Sequence, residues 1–241
     1  MLFRSLGKTL NYKTFDPGSG RLAGIIASMK KIVVLVSGRG SNMQALARAC
    51  EAERWPARIE AVLADRPDAP ACETARSLGL RVEVIEARSF DDRADFDRAL
   101  AQRLDALEPD LIALAGFMRI LPNELVVGHA GRMLNIHPSL LPAFTGLRTH
   151  QRALDSGARI HGATAHYVVP ELDAGPIVIQ AAVPVQDGDD ARRLAERVLQ
   201  AEHRIYPLAV RWHVEGRLSL EGQRVRLETP RAGESQMLWM S

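Results

Sequence analysis

The feature that most constrains this chain is its alternation of short apolar runs with helix-periodic segments. Residues 32–36 read Ile-Val-Val-Leu-Val, a continuous apolar run, as expected of a strand buried on both faces. Strands are expected at 59–64, 81–85 and 111–115 as well, the last again a continuous apolar run, separated by helical patterns at 43–52, 71–78 and 91–107. In the last of these, Phe96, Leu100, Leu104 and Leu107 mark one side, and Pro109 ends it. Alternating strands and helices imply right-handed crossovers and a mainly parallel sheet. The expected fold is α/β: a mostly parallel, Rossmann-like sheet with helices on both faces. Two further runs, 160–168 and 177–185, predict an antiparallel hairpin joined by an ordered proline-bounded loop. A long helix is expected over 189–212, kinked or broken at Pro207, before short strand-like runs at 218–220 and 225–227.

Composition narrows the function classes. The chain has 241 residues, 46% hydrophobic and 25% charged, with net charge +2, which suits one α/β domain with a sizeable core. Its 31 basic residues are scattered, so no nucleic-acid surface is expected. No apolar run approaches the ~20 residues that span a bilayer. Cys50 and Cys72, the two cysteines, form no CxxC or Cys–His cluster, which points to a reducing, cytoplasmic setting without structural zinc. The histidines show no metal-ligand spacing, so no metal is expected. Residues 1–28, basic and acid-poor, read as an N-terminal extension, disordered or from an upstream start with Met29 as the natural first residue. A weak organellar transit peptide is the other reading. The domain is expected over 29–220, and 221–241 as a polar tail with little function.

Three stretches carry chemistry. In Leu134-Asn135-Ile136-His137-Pro138, residues two apart on a strand point to one side, and Pro138 has no N–H to extend the ladder. Asn135 and His137 should therefore face one spot at a C-terminal strand edge, where open α/β sheets bind ligands. An amide for an oxyanion and an imidazole for a proton suit chemistry at a carbonyl, although a strand end whose polar groups cap a loop reads the same. Ser37-Gly38-Arg39-Gly40-Ser41-Asn42 lies between strand and helix and aims backbone N–H groups at an anion. It lacks a third glycine and a Gly-Lys-Ser/Thr ending, so a monophosphate suits it better than NAD or ATP. Ser41 and Asn42 can also cap the helix, and a tight turn with an ordinary cap is the plainer alternative. In the third stretch, Asp173 is the candidate carboxylate to orient His137 and favour its imidazolium form, or else a turn residue. Glu202 falls within the apolar stripe of the last helix and needs a partner, either a substrate group or an internal arginine.

Together these blocks resemble the phosphoribosylglycinamide formyltransferases, folate-dependent enzymes of purine synthesis. The resemblance spans roughly 29–220 and rests on the Gly-Ser-Asn loop, Ala115 to Leu121, Leu134 to Pro142, Glu171 to Pro176 and Glu202 to Pro207. It implies that Asn135, His137 and Asp173 are catalytic. Gly40, Ser41 and Asn42, with Leu199, Gln200, Ala201 and Glu202, would hold the phosphoribosylglycinamide. Leu199 stands where the family has a polar residue. Arg93, Met118, Arg119, Ile120, Leu121, Asn135, Val169, Pro170, Glu171, Leu172 and Asp173 would hold 10-formyltetrahydrofolate, the co-substrate. The partners implied are small molecules, and the chain a monomer or homodimer.

Three other readings stand beside it. A formyltetrahydrofolate deformylase would carry a larger N-terminal regulatory domain, and methionyl-tRNA formyltransferase a C-terminal tRNA-binding domain. A silent folate- or nucleotide-binding module would need the pocket but not the Asn135–His137–Asp173 group.

Overall fold

In the computed structural model, residues 29–240 are described, so the extension expected over 1–28 lies outside the described residues. Strands β1 (Lys30–Val36), β2 (Ala57–Ala64), β3 (Val82–Val84), β4 (Leu111–Leu114) and β5 (Met133–His137) pair in parallel in the order β3-β2-β1-β4-β5. The order reverses between β1 and β4, so the loops leaving these two strands diverge and open a crevice at their C-terminal ends. Strands β6 (Ile160–Tyr167) and β7 (Ile177–Pro184) continue the sheet in antiparallel fashion beyond β5.

Side chains alternate between two apolar layers. On one face Ile32, Val34, Leu111, Ala113, Leu134 and Ile136 pack under α1 (Ser41–Ala52), α2 (Pro70–Ser77), α5 (Thr149–Asp155) and α6 (Ala191–Val214). On the other, Val33, Leu35, Ile112 and Met133 pack under α3 (Arg93–Leu107) and α4 (Asn123–Gly128). The side of α3 marked by Phe96, Leu100, Leu104 and Leu107 is the one it buries. Asp92 caps α3 by accepting the Asp95 N–H at 2.8 Å.

Two sequence expectations are corrected. The last helix is not broken at Pro207, the second of the two forms expected there: α6 is continuous through it, with Pro207 buried. The segment beyond residue 220 is more than a polar tail. After β8 (Leu218–Glu221), strand β9 (Arg224–Leu227) pairs with β8 and touches β7, and β10 (Met237–Trp239) runs parallel along β7. An ion pair adds to this strand pairing: Glu234 is clasped by Arg217 and accepts the Trp212 indole N–H, and the Arg217 pairing pulls the Glu234 pKa down to about 2. The strand-like run at 225–227 is β9 as expected, whereas a three-residue β10 and one glutamate gave too weak a periodic signal to show the rest in the sequence.

Candidate active site

On β5, Leu134 and Ile136 enter the α6 layer, which turns Asn135 and His137 to the opposite face. The chain then reverses, with Ser139 N–H donating to His137 O at 2.9 Å. Thr164 locks the reversal. Its hydroxyl donates to Ser139 O at 2.6 Å and accepts the Leu141 N–H at 3.1 Å. Asn135 and His137 thus line a cavity of about 810 Å³ walled by Leu114, Phe117, Leu121, Val126 and Val168.

The loop between β6 and β7 brings Asp173 to the same place. Gly175 presses on β6 so closely that a Cβ there would lie 1.8 Å from Tyr167 O, and Asp173 takes a left-handed φ of 53°. Its Oδ2 lies 3.5 Å from His137 Nδ1 and accepts the Gly146 N–H at 2.8 Å. His137 Nε2 donates to Phe144 O at 3.0 Å. Both ring nitrogens therefore face acceptors, which a doubly protonated imidazole satisfies at once.

His166 completes the group and was not picked out from the sequence. It pairs with Asn135 across β5 and β6. Its Nδ1–H donates to Tyr167 O at 2.9 Å, which leaves Nε2 to accept from Asn135 Nδ2 at 3.2 Å. Burial pushes the His166 pKa down, in keeping with that neutral tautomer. One amide hydrogen of Asn135 is thereby engaged and the other is left for the cavity. The only sequence signal for His166 was a histidine within an apolar strand, and its register against Asn135 is a tertiary fact.

The residues expected at the folate ring gather around this cavity: Met118, Arg119, Ile120 and Leu121 on one wall, and Val169, Pro170, Glu171, Leu172 and Asp173 on the other. Ser37 Oγ accepts the Met118 N–H at 3.0 Å, fixing the β4 loop to the end of β1. Arg93 is not in the lining. It sits behind it, its guanidinium donating to Ile120 O at 2.6 Å.

The Gly40–Asn42 stretch lies on the other face. Gly40 begins α1 at φ 77° with no side-chain cap, so the capping role expected of Ser41 and Asn42 is not what the structure has. A Cβ on Gly40 would sit 2.6 Å from Ala71 Cβ, and Ala71 N–H donates to Gly38 O at 3.1 Å. Asn42 turns instead to α6, where its Nδ2 donates to Glu202 Oε2 at 2.6 Å. Glu202 therefore has an amide partner rather than an arginine, and burial raises its pKa to about 7. Beside it, Ala201 is buried, Leu199 and Ser41 are half-buried and Gln200 is exposed. One turn further along α6, the buried Tyr206 hydroxyl lies 2.9 Å from both Leu114 O and Leu134 O, tying this helix to the ends of β4 and β5.

Among the described residues no three His, Cys, Asp or Glu converge in a metal-binding group. The arrangement offers a polar focus of Asn135, His137, Asp173 and His166 beside a large apolar cavity, with the buried Asn42–Glu202 pair off the other face of the sheet.

Known proteins resemble this chain over most of its length. The Formyl transferase family profile matches residues 30–210. Phosphoribosylglycinamide formyltransferase of Escherichia coli is 45% identical over 201 residues, covering 80% of this chain and 95% of that protein. The Haemophilus influenzae protein of the same name is 42% identical, covering 80% and 91%. The crystal structure of glycinamide ribonucleotide transformylase 1 from Symbiobacterium toebii superposes with a TM-score of 0.81 at 44% identity, covering 88% of this chain and all of that one.

Proposed function

The chain belongs to the phosphoribosylglycinamide formyltransferases, enzymes of purine biosynthesis that transfer a formyl group, and we propose that Asn135, His137 and Asp173 carry out the transfer. The observation that supports this most is their convergence at the edge of one cavity, with Asp173 on His137 and His166 on Asn135. We assign 10-formyltetrahydrofolate as donor, its ring against 118–121 and 169–173 and its tail toward Arg93. The phosphoribosylglycinamide would lie along Gly40, Ser41, Asn42 and residues 199–202, with its phosphate on the loop N–H groups. The cytoplasm is the proposed compartment. In support, no helix among the described residues is long and apolar enough to cross a membrane, and both cysteines are free thiols.

In this reading the substrate amine attacks the formyl carbon and the carbonyl electrons move to oxygen. The second Asn135 N–H and the protonated His137 stabilise the oxyanion. Each such donor is typically worth ~2.7–4 kcal/mol of barrier. As the tetrahedral centre collapses, the C–N bond to the folate breaks and His137, directly or through water, gives its proton to the departing nitrogen; the proton shed by the attacking amine restores the imidazolium, so the net transfer is from amine to folate nitrogen. To serve the reacting group, Nε2 exchanges its bond to Phe144 O for one to substrate. Asp173 holds the opposite ring nitrogen throughout.

The test is absorbance-monitored turnover of a 10-formyltetrahydrofolate analogue with and without phosphoribosylglycinamide. Turnover that requires the amine supports the proposal. Equal turnover without it would mean water is the acceptor and would strip the Gly40–Asn42 loop of its assigned role. Donor binding without any turnover would leave a binding module.

A further inference from the structure

Asp65, just past the end of β2, has no part in the assignments above, yet it is one of few buried carboxylates, at 7% exposure. Its backbone is anchored, with Ala87 N–H donating to Asp65 O at 3.0 Å. Its side chain reaches Arg119 of the cavity wall: Arg119 Nε donates to Asp65 Oδ2 at 2.8 Å, and the guanidinium carbon lies 4.8 Å from the centre of the Phe96 ring. Asp65 Oδ1 is buried without a partner. A carboxylate in such a position is costly unless a cation is held against it.

This contact fixes more than an ion pair. With Nε on Asp65 and one face on Phe96, the guanidinium plane is set, and its two terminal nitrogens have no partner among the described residues. Arg119 remains 38% exposed and lines the cavity. A planar fork of N–H donors at the mouth of an apolar cavity matches a carboxylate. Its neighbours are held as well, Met118 by Ser37 and Ile120 by Arg93. Three consecutive loop residues are thus clamped from β1, β2 and α3, while the side chains of Met118 and Ile120 stay open at 70% and 61%.

We propose that Asp65 is a positioning residue for the formyl donor: it holds Arg119 so that the guanidinium fork receives a carboxylate on the donor's tail. This rests on the folate reading above and refines it: the loop 118–121 still walls the ring, while the Arg119 guanidinium serves the tail. The residue acts through Arg119 and touches no reacting atom, so its effect should appear in donor KM and depend on the tail.

The test compares two donors, a 10-formyl folate with its glutamyl group and the same pteroyl compound truncated before it. It uses the full chain as wild type, Asp65→Asn, Asp65→Ala and Arg119→Met, with folding of each checked by thermal unfolding. The expected result is a KM for the glutamylated donor raised about tenfold in Asp65→Ala, and less in Asp65→Asn, which keeps an acceptor. kcat and the KM of the truncated donor should hold within about twofold. In an Arg119→Met background, Asp65→Ala should add nothing. An equal KM rise for both donors would overturn the proposal by making Asp65 only a support of the loop, as would no rise for the glutamylated donor. Failure of the underlying reading looks different: the wild type would not distinguish the two donors, and Arg119→Met would leave both KM values unchanged.

Discussion

The cavity beside His137 and the seam between Gly40 and Glu202 lie off opposite faces of one sheet and are built in opposite ways. The cavity is large and apolar, and Met118, Ile120, Leu147 and Leu172 stand exposed at its rim. Its polar contacts go mostly to backbone, such as Met118 N–H and Ile120 O. The seam is small, polar and buried, with Asn42 and Glu202 at 7% and 8% exposure. A flat ring is held by summed area, so each side chain matters modestly. A small polar substrate is held by a few fixed groups, each of which matters a great deal.

The largest effects should fall where the two regions meet. Asn135→Ala and His137→Ala should each lower kcat by about 10²–10³ while both KM values change little. Steady-state rates with each substrate varied in turn will show this, and an unaltered kcat in either variant would remove that residue from the mechanism.

Gly40→Ala sharpens the contrast from the seam side. The new Cβ meets Ala71 at 2.6 Å on a left-handed backbone, which costs about 1–2 kcal/mol before any clash. The KM for phosphoribosylglycinamide should rise by about tenfold or more, the donor KM should hold, and Ala71→Gly in the same chain should restore part of the loss. A matching rise in donor KM would break the distinction between the regions.

Glu202→Gln tests the burial of charge. The folded Glu202 pKa is raised from 4.5 to about 7, so the folded state binds this proton more tightly than the unfolded chain. The resulting stability is present below the unfolded value and lost as pH rises through about 7. The full difference is on the order of 3 kcal/mol. Glutamine keeps an acceptor for Asn42 without the charge. In urea unfolding, the variant should match wild type near pH 4 and exceed it by about 2–3 kcal/mol at pH 8. Parallel pH profiles would mean that Glu202 is solvated after all. The smallest effect is expected at the cavity rim: Met118→Ala, at a position 70% exposed, should raise donor KM by only about threefold to tenfold and leave the melting temperature unchanged.

Much of this molecule was legible in its sequence. The parallel half followed from periodicity, because 32–36 and 111–115 are unbroken apolar runs, 59–64 is interrupted only by Glu60, and helical spacing lies between them. The pairing of Asn135 with His137 on one face followed from the two-residue repeat of a strand and the proline that ends it. The stripe that buries Glu202 was visible too, although its partner was not, because Asn42 is 160 residues away.

What the sequence determined by itself was therefore local: which segments become strands and helices, which faces are apolar and where a ladder must stop. These depend on neighbours one to four residues apart, and the chain carries that information directly. The tertiary structure alone decided which polar groups meet. The antiparallel register of β5 and β6 put His166 on Asn135, the close approach of Gly175 to Tyr167 delivered Asp173 to His137, and the chain order β3-β2-β1-β4 brought Asp65 within reach of Arg119. Such contacts depend on register and loop path, which no local pattern encodes, and they become definite only when the whole sheet closes on its two apolar layers.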